Sequence, residues 1–305
     1  MGKKIVRFFA YVLTAAVFLF GVVIFIYPLL SGYMSEHNSA VCVKNFENSK
    51  RSFTENQNSS SEKGGNSKSL KKLYKEMKMY NADIYKNHQE GLCDAWAYEQ
   101  SSINLSEFGI NSGAVGALRV PKMGNLEMPI FLGASRNNMS MGAAQLGETS
   151  MPIGGKNTNC VLAGHRGWSG ARYFLDIEQL QLGDKVYIEN FWETLSYAVT
   201  DIQVISPDDI QKIFIQKNKD MVTLITCHPY WASTYRYVVF CERVYDEDAK
   251  TDVDTPTQNN TMEIDKTSQT RIFLEKISYV VIPVILVALY VFLLIRRRKS
   301  NRRSM

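Results

Sequence analysis

Apolar positions along the chain fall into four patterns. Residues 8–30 form an uncharged, strongly apolar run, and residues 277–295 form a second one interrupted only by Pro283. Each is close to the roughly 20 residues a helix needs to cross a bilayer, and proline is tolerated in such a span. Two buried core helices would account for these runs less well, because basic clusters flank the outer edge of both. The second pattern is polar. Residues 31–69, with Asn-Gln-Asn-Ser-Ser-Ser at their centre, and residues 247–276 hold too few apolar side chains to pack, and read as flexible linkers. The third is helical: Leu70, Leu73, Tyr74, Met77, Tyr80 and Ile84 recur at three- and four-residue spacing with lysines between them. This predicts an amphipathic helix at the start of a segment covering 70–110.

The fourth pattern fills 111–246. Short strand-like runs alternate with turn signals at Ala117–Pro121, Met128–Gly133, Cys160–Gly164, Lys185–Phe191, Thr194–Ile205, Met221–Thr226 and Tyr237–Val244. Short helical pieces are expected at Met139–Gln145, Arg172–Leu180 and Pro207–Ile215. So many short strands predict a mainly β domain, closed as a barrel or packed as a sandwich.

Charge changes the picture in one respect. The net charge is +5, yet Lys3, Lys4 and Arg7 at one end and Arg296, Arg297, Arg298, Lys299, Arg302 and Arg303 at the other supply nine positive charges, which leaves −4 for everything between. A mildly acidic centre argues against nucleic acid as a partner. The basic ends, lying outside both apolar runs, put both termini (1–30 with its span, and the tail 296–305) on the cytoplasmic side and residues 31–276 outside. The first run is longer than a signal-peptide core and no small-residue cleavage site follows it, so a retained anchor and a two-pass membrane protein are expected. Five cysteines without paired spacing predict neither a disulfide framework nor a zinc site. No calcium-type acidic cluster, phosphate loop or metal-ligand spacing is present, so no metal and no cofactor is inferred.

Candidate chemistry gathers at strand ends. Cys227 stands where the run Met221–Thr226 stops, and after a turn at Pro229 the next run opens with Arg236. An antiparallel return would bring the guanidinium beside the thiol, where it favours thiolate and can face a developing oxyanion. His165 follows the end of the run at Cys160–Gly164. Taken singly, each has a bland reading: an inert small hydrophobe, a solvated charge, a surface histidine. Together they supply a nucleophile, a proton carrier and an oxyanion partner for acyl transfer.

Thr-Leu-Ile-Thr-Cys at 223–227 with Arg236 a short way on, and Val-Leu-Ala-Gly-His-Arg-Gly at 161–167, resemble the signatures of the sortase family. Residues 152–188 and the Pro-Tyr after His228 look most like its class C, the pilin-polymerising sortases. The resemblance covers about residues 70–295. It implies an eight-stranded sortase β-barrel, Cys227 as nucleophile, His165 as general acid/base and Arg236 as the oxyanion or substrate-positioning group. Thr226, His228 and Trp231 flank the cysteine as candidate substrate-binding residues. His228 and Trp231 stand where the family more often has a small or hydroxylated residue and a glycine.

Asp94-Ala95-Trp96 resembles the class C lid, usually Asp-Pro-aromatic, which implies Asp94 reaching toward Arg236 and Trp96 toward Cys227. Ala95 removes a φ restraint that proline would impose. With the acid–base pair open to water, the tryptophan is expected to hold the lid more than the charges do. The implied function is a cysteine transpeptidase that cleaves an LPxTG-type sorting signal at the Thr carbonyl and passes the acyl group to a lysine of the next pilin subunit. A housekeeping sortase that anchors single proteins to the cell-wall cross-bridge is the first alternative. A non-enzymatic, membrane-anchored adhesin or assembly scaffold is the second.

Overall fold

The computed structural model describes residues 2–58, 64–98, 103–167, 171–230, 232–245 and scattered positions between 270 and 290. The chain divides into two units, residues 1–33 with 265–305, and residues 34–264. In the first, the N-terminal part of helix α1 (Gly2–Asn58) carries exposed Leu13, Phe20 and Leu30. Among the described residues α1 is the one helix long and apolar enough to cross a membrane. The second apolar run, 277–295, lies for the most part outside the described residues, as do most of 247–276 and the tail 296–305.

The second unit is built on eight strands: β1 (Ala114–Val120), β2 (Leu126–Leu132), β3 (Ala143–Gln145), β4 (Thr158–Ala163), β5 (Lys185–Asn190), β6 (Thr194–Ile205), β7 (Asp220–His228) and β8 (Tyr235–Arg243). They close into a barrel in the order β1-β2-β3-β4-β7-β8-β6-β5. β2–β3 and β4–β7 run parallel, and the other pairs run antiparallel. Side chains alternate in and out along each strand. On β4, β7 and β8 the inner set is Cys160, Leu162, Val222, Leu224, Tyr237, Val239 and Cys241, which joins the main core. The outer set is Val161, Ala163, Met221, Ile225, Val238 and Phe240, which packs with Leu92, Ala95 and Ile213 in a second cluster.

Local structure departs from the sequence expectation at 31–58 and at 139–145. Residues 31–58 are not a flexible linker: they continue α1 and bury Val43, Phe46 and Phe53. Phe46 and Phe53 meet Phe191 edge-on at 5.0 and 5.8 Å, while Lys50 bonds Glu189 and Glu47 bonds Arg119 at 2.8 and 2.9 Å. A sparse apolar stripe suffices because the barrel supplies the other side of the contact. Met139–Gln145 is not one helix either. A single turn, α3 (Arg136–Met139), precedes strand β3, whose Ala143 and Ala144 pair with Ile130 and Phe131.

The other short pieces are tighter than expected. Only Ile177–Gln179 within 172–180, and Ile210–Ile213 within 207–215, are helical, both as 3-10 turns. Helix α2 (Gly64–Lys86) runs where the stripe at 70–84 predicts one, burying Leu70, Leu73, Met77 and Ile84.

Candidate active site

Strand register sets the centre. Across the β7–β8 pair Cys227 lies opposite Arg236, Thr226 opposite Tyr237 and His228 opposite Tyr235. Cys227 and Arg236 therefore share the outer face of the barrel, while Thr226, His228 and Tyr237 share the inner one. β4 lies parallel to β7 on its other side, with Ala163 beside Ile225, so the segment leaving β4 carries His165 to the same end of the sheet. Gly164 makes this approach close. Its N–H donates to Ile225 O at 3.2 Å, and a Cβ there would stand 3.0 Å from the Phe174 ring.

Thr226 is buried, and its hydroxyl donates to Gly164 O at 2.7 Å. A substrate contact is closed to Thr226 in this state. His228 is turned inward: Arg166 Nη1 donates to its Nδ1 at 2.8 Å and the Tyr237 ring lies 5.7 Å away. Neither residue faces the Cys227 side of the sheet. Trp231 lies outside the described residues.

Asp94 caps the 3-10 turn Ala95–Ala97 and accepts from Trp96 N at 3.1 Å. Arg236 donates to both of its carboxylate oxygens, Nε to Oδ1 at 2.7 Å and Nη2 to Oδ2 at 2.9 Å. The remaining arm, Nη1, donates to Ser233 O and Tyr235 O, each at 3.0 Å. All three guanidinium nitrogens are thus engaged, four of the five N–H donors with protein acceptors, and the edge formed by Nε and Nη2 is taken by Asp94 in this state. Trp96 covers the group, with the guanidinium carbon 4.5 Å from the ring centre, and lies 6.4 Å from the His165 ring. Trp96 therefore sits over Arg236 and beside His165. The side chains of Arg236 and Asp94 are 9% and 23% exposed, so this pair is more sheltered than a surface ion pair. Ala95 is fully buried in the outer cluster. Upstream, buried Gln89 pins the segment, donating to Glu148 O at 2.7 Å and accepting from Ile215 N at 2.6 Å.

Burial dominates the protonation of the centre. It pushes the Cys227 thiol up, against the nearby Arg236, the Ser233 side chain and Arg166, and Asp94 adds to the rise. It pushes the His165 imidazole down. With the segment over Arg236, the pair at rest is a thiol and a neutral imidazole. Two residues to which the sequence assigned no role complete the surroundings. Tyr173 stacks edge-on to His165 at 6.4 Å. Arg166 forms a buried ion pair with Glu178 in the barrel mouth. The only sequence signal for Arg166 was its place directly after His165, because a charge in a loop ordinarily reads as solvated.

The Sortase domain family model matches residues 118–244. Sortase A of Bacillus anthracis is 31% identical over 157 residues, 51% of this chain and 72% of that protein. Sortase A of Listeria monocytogenes is 30% identical, covering 53% and 72%. Among solved structures, sortase C1 of Streptococcus agalactiae matches with a TM-score of 0.56 at 28% identity, covering 67% of this chain and 97% of the other. Sortase C1 of GBS Pilus Island 1 matches with 0.56 at 26%, covering 68% and 92%. A closed eight-stranded barrel that sets Cys227 against Arg236, together with these matches, shows that the chain belongs to the sortase family of cysteine transpeptidases.

Proposed function

We propose that Cys227, His165 and Arg236 carry a transpeptidation in which a sorting signal of the LPxTG type is cleaved and a lysine amine of another pilin subunit takes the acyl group. The observation that carries this reading is the cross-strand pair of Cys227 and Arg236. The Cys227 sulfur adds to the Thr carbonyl as His165 takes the thiol proton, and the negative charge collects on the carbonyl oxygen, opposite Arg236 once Asp94 has left it. His165 returns the proton to the leaving amine and a thioester remains. The incoming amine then adds to the thioester, gives up a proton to His165, and expels the thiolate to leave a new amide bond.

Polymerisation is supported by the similarity to sortases C1, one of them named for a pilus island, and by the Asp94–Arg236 contact. In this reading Asp94-Ala95-Trp96 is a lid that must leave Arg236 before acylation. Residues 8–30 and 277–295 are membrane spans, both tails lie in the cytoplasm, and the barrel of 111–246 works outside the cell. The stacking of Phe18 on Tyr290, 4.9 Å between ring centres, supports pairing of the two apolar runs. Anchoring single proteins to the cell-wall cross-bridge is the second reading, favoured by the curated relatives named sortase A. Offering the acylated enzyme a pilin lysine peptide and a cross-bridge peptide together separates the two. An isopeptide to the lysine supports polymerisation, and product with the cross-bridge amine alone supports anchoring.

A further inference from the structure

His165 and Cys227 are each bracketed by residues that bond to one another. On one side Thr226 Oγ1 donates to Gly164 O at 2.7 Å. On the other, Arg166 Nη1 donates to His228 Nδ1 at 2.8 Å. The residues before and after the candidate acid/base are therefore tied to the residues before and after the candidate nucleophile. The first tie joins a hydroxyl to the backbone of an adjacent strand end. The second spans the barrel mouth and depends wholly on side chains.

We propose that Arg166 is a positioning residue, which through His228 and Glu178 holds the His165 segment in register with the Cys227 end of β7. Arginine only donates hydrogen bonds, so His228 must present an unprotonated Nδ1 and carry its proton on Nε2. Glu178, on the 3-10 turn Ile177–Gln179, holds the same guanidinium through Nη2, and both side chains are 1% exposed. Glu178 Oε1 also stands 3.5 Å from His228 Nδ1. From β8, the Tyr237 ring lies 5.8 Å from the guanidinium carbon and 5.7 Å from the imidazole. Arg166 is thus fixed from three sides with little freedom to swing, and its rigid planar fork holds two partners at set angles, which a rotatable ammonium on a flexible stem does not. His228, which the sequence presents as a subsite residue, faces inward and acts through this bond instead.

The inference rests on the proposed roles of Cys227 and His165. It is tested by measuring kcat and KM of the full chain in detergent with an LPxTG-type peptide and an amine acceptor. His228→Phe keeps a ring and loses the acceptor. His228→Asn places a carbonyl oxygen close to where Nδ1 stood. The expected result is a fall in kcat of about 10- to 100-fold for His228→Phe, the scale of a small misplacement of reacting groups, with KM unchanged and most of the rate restored in His228→Asn. Arg166→Lys retains the buried charge against Glu178 and predicts the same kcat loss, which keeps the test alive if His228→Phe fails to fold. A wild-type kcat in both His228→Phe and Arg166→Lys would overturn the proposal. So would a raised KM at constant kcat, which would make His228 a substrate contact, or a loss that His228→Asn does not relieve. Cys227→Ala, run alongside, separates the two levels: if it stays active the underlying reading fails, and if it is dead while His228→Phe is unaffected only this inference does.

Discussion

Arg236 stands opposite Cys227 in the β7–β8 register, while its Nε and Nη2 are both held by the Asp94 carboxylate. The guanidinium that faces the thiol across the strands is thereby occupied by the segment that covers it. Asp94 also opposes ionisation of the thiol.

Removing that carboxylate should therefore wake the site. Asp94→Ala is expected to speed alkylation of Cys227 by a small thiol reagent at neutral pH, at least as much as Trp96→Ala does. This ranking departs from the one the sequence supports, because the Asp94–Arg236 pair is bidentate and sheltered, and Trp96 rests on the same guanidinium. Charge-assisted bonds of this kind are worth about 1.5–3 kcal/mol. Equal alkylation rates in wild type and both variants would mean that 94–96 is not a lid.

Arg236→Lys tests geometry against charge. An ammonium keeps the positive charge but cannot engage Asp94 and two carbonyls as the planar fork does. Transpeptidation should fall by about 10²–10³-fold, the usual cost of losing one oxyanion donor. Near-wild-type turnover in the lysine variant would show that a point charge is enough.

Stability should peak between roughly pH 6.5 and 8.5. Cys160, Cys227 and Cys241 are pushed up by burial, so above the ordinary thiol range the folded chain keeps protons that the unfolded chain has released, and stability falls as pH rises. His165 is pushed down, so at lower pH the unfolded chain takes a proton the folded one refuses, and stability falls as pH drops. Thermal midpoints across pH 5 to 10 measure both limbs. His165→Gln should flatten the acid one.

The docked part of α1 offers a packing test. Phe46 is fully buried against Phe191, and Phe46→Ala should destabilise the barrel unit by about 3–5 kcal/mol in urea unfolding. A change below 1 kcal/mol, the range of a surface substitution, would show that this stretch contributes little to the fold.

All the barrel strands but β3 were legible as short apolar runs between turn signals, and the Cys227–Arg236 pair was legible because β7 is a nearly continuous apolar run that stops at Cys227 and β8 opens beside Arg236. The helix at 31–58 was not, since Val43, Phe46 and Phe53 are diluted among Asn, Ser and Lys and matter only once the barrel faces them. β3 was masked by Ala143, Ala144 and Gln145, good helix formers held extended by β2 and β4. The inward turn of Thr226 and His228 follows from strand alternation, but only once register fixes which face Cys227 occupies. The buried pair of Arg166 and Glu178 ran against the expectation that such charges stay in water.

Every step proposed above begins with Cys227 as the nucleophile. Incubating the protein with an LPxTG-type peptide, without an acceptor amine, and mapping the trapped acyl group by mass spectrometry tests it most directly. The expected product is a thioester on Cys227, cut after the threonine and absent from Cys227→Ala. An acyl adduct on Cys93 or Cys160, or one that persists in Cys227→Ala, would contradict it.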